Sequence, residues 1–121
     1  MTPEEVAKVR ELLTHEDPDI QRQGLELAKS FGDYSAIFEG CSIDDKGKIQ
    51  LWFGSLTSIM LEGFLQSGVV DPLSVTSLNL QNCYKLHNVD GLSGLTNLTS
   101  LNLHNCNNLQ SIDTLASLTN L

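Results

Sequence analysis

Two cysteines stand 23 residues apart in matching contexts, "LNLQNC" ending at Cys83 and "LNLHNC" ending at Cys106. A stacked pair of thiols can form a disulfide or hold a soft metal, and His104 beside Cys106 suggests a Cys–His nucleophile. Each chemistry has a weakness. Two thiolates alone fall short of a tetrahedral zinc set. In an alternating segment His104 points away from Leu103, whereas Cys106 falls among the inward positions, so base and nucleophile lie on different sides. Small apolar filler in a core is the better reading of both thiols. His15, His87 and His104 are widely separated in the sequence, and none has an obvious carboxylate or cysteine partner in the local pattern. The tract "SIDDKGKIQLWF" shares a central glycine, Gly47, with calcium-binding loops. Ser42, Lys46 and Phe53 would then occupy its first, fifth and twelfth positions, where oxygen ligands are required, so calcium is rejected. There is no glycine-rich phosphate loop. Neither a metal, a cofactor nor a catalytic set is expected, and the chain is read as a non-enzyme. The "NLT" at Asn97 has the pattern of a glycosylation acceptor, which carries no weight without a secretory signal.

The charge balance narrows the partners. Residues 1–70 hold 12 acids and 6 bases, and residues 71–121 hold three acids and one base, Lys85, giving −8 in total. Phosphate binding needs clustered Lys and Arg, so nucleic acid is not the expected partner. The opening "MTPEEVAKVR" has no apolar leader segment and no run is long enough to span a bilayer. No membrane association is expected; a cytoplasmic location is, with Cys41, Cys83 and Cys106 reduced.

Positioning elements follow from the pattern. "TPEE" is a capping box with Thr2 at N-cap, Pro3 at N1 and Glu5 at N3, and Val6, Val9 and Leu13 continue one apolar face. "DPDI" restarts the pattern with Asp17 and Pro18, carries Ile20, Leu27 and Phe31 in a stripe, and stops at Gly32. Helices over 3–14 and 18–31 would form an antiparallel hairpin, with a shorter third helix over 34–39. Ile43, Ile49 and Leu51 flank the turn-forming "DDKGK", which suggests a β-hairpin within 40–55. "LTSIMLEGFLQSG" places Met60, Leu61, Phe64 and Leu65 on one side of a further helix that ends at Gly68. Phe64, Leu65 and Trp52 are expected to seal the segment that follows, although a lone tryptophan can also anchor a partner.

That segment repeats itself. Copies 75–97 and 98–120 align as Val75/Leu98, Leu78/Leu101, Leu80/Leu103, Cys83/Cys106, Leu86/Leu109, Val89/Ile112, Leu92/Leu115 and Leu95/Leu118, every pair apolar, and Leu121 begins a third. Leu78 and Leu80 alternate with polar neighbours, as on one face of a short strand, while Leu86 to Leu95 must also face inward after the chain has turned. One coil cannot bury both sets alone; two stacked coils share a core. The pattern L-x-x-L-x-L-x-x-C-x-x-L resembles the leucine-rich repeats, in the short form often seen in bacteria. The stretch "LLTHEDPDIQRQGLELAKSFGD" resembles one unit of the HEAT-like helical repeats, with Gly24 near where such units carry alanine.

The resemblance implies an α+β fold: a helical cap region over 1–70, then a short right-handed leucine-rich-repeat solenoid over 71–121 with a parallel sheet on its concave face. It implies a protein-interaction module whose partner binds that face. Alternation then selects Ser77, Asn79, Gln81, Ser100, Asn102 and His104 as the partner-binding residues, against the blander reading that they are only solvated. Because repeat arrays end in polar caps and usually run to three repeats or more, the bare second coil suggests a homodimer through the C-terminal repeat edge, or the N-terminal piece of a larger effector or enzyme.

Overall fold

A computed structural model describes residues 1–121. Helices α1 (Pro3–Leu13) and α2 (Pro18–Ser30) pack as an antiparallel pair. Both halves of the capping box form: the Glu5 N–H donates to Thr2 Oγ1 at 3.2 Å and the Thr2 N–H to Glu5 Oε1 at 2.8 Å. Asp17 caps α2 by accepting from the Asp19 N–H, and Gly32 follows with φ +85°, a left-handed conformation that glycine adopts without strain. Gly24 is not a weak substitute for alanine. A Cβ there would lie 2.7 Å from Leu12 Cβ, so the glycine sets how closely α1 and α2 approach.

The expected third helix over 34–39 is a single 3-10 turn, Ser35–Phe38, started by Asp33 accepting from the Ser35 N–H and followed by Gly40 at φ +86°. The β-hairpin is present but short: β1 (Ser42–Ile43) pairs antiparallel with β2 (Ile49–Gln50). Asp44 organises its turn, accepting from the Lys46 and Lys48 N–H groups at 2.9 Å each. The acidic tract therefore builds a turn.

Helix α3 (Ser58–Gln66) buries Met60, Leu61, Phe64 and Leu65. Phe64 meets Phe38 edge-on at 6.0 Å between ring centroids. Trp52 does not join them. It is 56 % exposed, lies under the Arg10 guanidinium at 4.3 Å, and donates its indole N–H to the Glu39 carbonyl. The expectation that Trp52 seals the repeats fails because Leu51 and Phe53 on either side of it take the inward places against the core, which leaves the Trp52 ring outside against Arg10. Glu62 ties α3 to α2: Arg22 grips its carboxylate with two bonds of 2.8 and 3.1 Å, and Lys29 lies 3.4 Å away.

The two sequence copies lie side by side. Strands β3 (Ser77–Asn79) and β4 (Ser100–Asn102) pair in parallel with Leu78 opposite Leu101. A second bridge joins Asn88 to Ser111. The 3-10 turns Asp90–Gly94 and Asp113–Ser117 pack together on the other side of each copy. Between these walls lie Leu78, Leu80, Leu86, Val89, Leu92, Leu95 and Leu98, all essentially buried. Of their counterparts in the second copy, Leu118 is buried, Leu101, Leu103, Leu109 and Leu115 are only half-buried, and Ile112 is 54 % exposed. The first copy is enclosed from both sides and the second from one.

The N-terminal part encloses the first copy at three places. Helix α3 packs against Asp90–Gly94, where a Cβ on Gly91 would stand 2.7 Å from Glu62 Cα. Ser58 Oγ accepts from the His87 and Asn88 N–H groups. The hairpin turn presents the Gly47 carbonyl to the Asn79 N–H at 2.9 Å. No helix is long and apolar enough to cross a membrane.

Candidate partner-binding face

Strand alternation places Ser77, Asn79 and Gln81 beside Ser100, Asn102 and His104, in two rows set by the β3–β4 register. Five of the six are exposed and Asn79 is half-buried. Backbone pairing runs beyond the strands. Thr76 O accepts from the Thr99 N–H at 2.8 Å, and the Leu80 and Asn82 N–H groups donate to Asn102 O and His104 O at 2.9 Å. The rows are thus held rigidly along their length.

The asparagines have a second duty. Asn79 Oδ1 accepts from the Gln81 N–H at 3.0 Å, and Asn102 Oδ1 accepts from the His104 N–H at 2.9 Å. Each side chain thereby turns the chain out of its strand, as short amide side chains do. Asn82 and Asn105 follow with φ of 65° and 62°, a left-handed geometry that asparagine tolerates better than other side chains. Ser77, Gln81, Ser100 and His104 keep their side chains largely free, and Asn102 Nδ2 reaches Gln81 Oε1 at 3.5 Å. The face offers hydroxyl, amide and imidazole groups and no fixed charge. The hairpin turn borders it: a Cβ on Gly47 would stand 3.0 Å from Ser77 O. That border was not expected from the sequence, and only the turn chemistry of "DDKGK" hinted at it.

The cysteines lie between this face and the core. Cys106 donates its S–H to Leu80 O at 3.0 Å. Cys41, Cys83 and Cys106 are all free thiols. Burial pushes the Cys83 thiol above its ordinary value, with nearby Cys106 adding to the rise. A thiol held protonated is a poor nucleophile. No group of three or more His, Cys, Asp or Glu side chains is placed to hold a metal.

Asparagine side chains also donate to the chain one repeat length earlier. Asn97 Nδ2 donates to Leu73 O at 2.9 Å and Asn120 Nδ2 to Thr96 O at 2.8 Å. Asn108 Nδ2 donates to Tyr84 O at 2.6 Å. Asn97 and Asn120 are matched in the two copies, which was the available signal. The "NLT" asparagine is a structural donor here.

Residues 74–121 match the family model described as Leucine Rich repeats, in two copies. Neither the curated proteins nor the solved structures contain a match to the chain.

Proposed function

Residues 74–121 being leucine-rich repeats, a family whose repeats generally mediate protein–protein contact, we propose that this chain is a non-enzymatic interaction module. Its partner is a protein, bound by Ser77, Asn79, Gln81, Ser100, Asn102 and His104. In this reading residues 1–70 form the helical cap region and residues 71–121 a right-handed solenoid with the parallel β3–β4 pair on its concave side. The observation that carries it is two rigid, registered rows of uncharged polar side chains beside a bordering hairpin. Such a surface gives directional hydrogen bonds without a strong field. A cytoplasmic setting fits three free thiols, and the net charge of −8 disfavours nucleic acid.

A photo-crosslinking amino acid at Gln81 or His104 tests this, with Glu26 on α2 as the control position. A discrete adduct from the first two positions, absent from the third and lost in a Ser100→Arg background, is the expected result. Equal adducts from all positions would refute the face assignment.

A second reading is a homodimer through the outer face of the second copy. It is favoured by half-buried Leu101, Leu103, Leu109 and Leu115 around exposed Ile112, since open apolar strand edges invite pairing. Sedimentation velocity decides it: a concentration-dependent dimer abolished by Ile112→Glu supports self-association, and a monomer across the range rejects it.

A further inference from the structure

A cleft of about 620 Å3 opens where the α1–α2 turn, the segment before α3 and the first repeat copy meet. Its volume lies within the range of small-molecule sites, roughly 300–1,000 Å3. The copies diverge at this cleft. Comparing 75–97 with 98–120, the outward block Tyr84, Lys85, His87 and Asn88 stands where the second copy has Asn107, Asn108, Gln110 and Ser111. All four residues of the first block line the cleft. Elsewhere the differences are apolar exchanges, small-for-small exchanges at 93 and 94, Gln81 for His104, and Gly91 for Thr114. The last is explained by the backbone of Glu62 pressed against Gly91.

Packing does not explain three residues of the cleft block; the fourth, Asn88, is half-buried and accepts from the Asp90 N–H. Tyr84 is 52 % exposed, and Lys85 and His87 are exposed too. Lys85, the one base in residues 71–121, makes a single long contact of 3.4 Å with Ser55 Oγ. His15 lines the opposite wall; its Nδ1 accepts from the Asp17 N–H at 3.0 Å, which puts the ring proton on Nε2 as a donor. Glu16 is the one carboxylate among the lining residues. In a strongly acidic chain, this is a local gathering of one ammonium, two imidazoles and an aromatic ring.

We propose that this cleft binds a small organic acid, its carboxylate or phosphate held by Lys85 with His15 and His87 as further donors, and its apolar body lying on Tyr84 and Pro18. The site is separate from the strand face and does not depend on what that face binds.

The test titrates the 15N-labelled full chain with benzoate, phenyl phosphate and, as the uncharged control, benzyl alcohol, following backbone amide shifts. Saturable shifts at residues 13–16, 54–59 and 84–88 with an anion, and none with the alcohol, are expected; whichever anion saturates identifies carboxylate or phosphate as the bound group. The exchange Y84N/K85N/H87Q/N88S installs residues that the second copy already carries at the same positions, so the fold is retained. It should raise the dissociation constant at least about tenfold, as K85Q should by itself on loss of a charge-assisted contact. No saturable shift with either anion, equal binding of the alcohol, or an unchanged constant in K85Q would overturn the proposal.

Discussion

Leu78 and Leu101 occupy the same position in the two copies and face each other in the β3–β4 ladder. If a coil's core closes only when a neighbour lies on each side, truncating them must have different costs. Leu78 is 1 % exposed, with the hairpin turn on one side and Leu101 on the other. Leu78→Ala removes three buried carbons and leaves a closed cavity, a loss of about 3 kcal/mol. Leu101 is only half-buried, and its outer side has no wall to hold a cavity open. Leu101→Ala then forfeits partial burial alone, about 1 kcal/mol. Urea denaturation followed by far-ultraviolet circular dichroism gives both values on one scale. The double variant should cost less than the sum, since the side chains touch. A cost for Leu101→Ala equal to that for Leu78→Ala would refute the reasoning, because Leu101 would then be covered in solution. By the same logic an aspartate is severe at position 78, where it has no route to water, and milder at position 101.

Three further outcomes follow from individual contacts. The hydrogen bonds from Arg22, with its charge and that of Lys29, hold the Glu62 carboxyl below its usual range. That contribution is complete above the unfolded carboxyl's ordinary value near 4.5 and is lost as pH falls through the lower folded value. Glu62→Gln should therefore lower the melting temperature at pH 7 and flatten its acid dependence between pH 3 and 5; an unchanged acid slope would contradict the clamp. Gly91→Ala forces a Cβ to within 2.8 Å of two Glu62 backbone atoms and should cost about 1–3 kcal/mol, so a wild-type melting curve would rule out that close approach. Asn102→Ala loses the bond from the His104 N–H and should cost about 0.5–1 kcal/mol, whereas His104→Ala should leave the melting curve in place.

The parts legible in the sequence are those whose signal is local or repeated. The capping box of α1 needs only Thr2 and Glu5, and it forms as read. The Leu78–Leu101 pairing needs only the 23-residue interval, and it is the observed register. What escaped depends on partners far apart in the chain. Nothing near Glu62 in sequence announces Arg22, which lies 40 residues away. Gly24 reads as a poor choice beside alanine, and Gly91 carries no signal at all, until the neighbours they admit are known. Trp52 reads as core by composition, yet it lies exposed beneath the Arg10 guanidinium. The outward face of the strands follows from alternation, but the turning role of Asn79 and Asn102 appears only with the hydrogen bonds they accept.

The side-chain bonds between the copies run in one direction. Asn120, Asn108 and Cys106 each donate backwards, to carbonyls of Thr96, Tyr84 and Leu80, and Asn97 of the first copy donates in the same sense to Leu73 before it. Thr114 likewise donates to the Asp90 carboxylate at 2.8 Å. The N-terminal part respects this polarity, because Ser58 and Gly47 meet the first copy with acceptors for its N–H groups. On the outer side of the second copy the equivalent positions are again acceptors: the carbonyls of Leu103, Asn107 and Thr119, and the carboxylate of Asp113. A two-fold related copy would set acceptor against acceptor there, so its gain would come from apolar burial and the strand edge alone. The strand face carries no such conflict. Its hydroxyl and amide groups both donate and accept, and it can answer a partner of either polarity, which is why that face takes precedence over self-association in the functional reading.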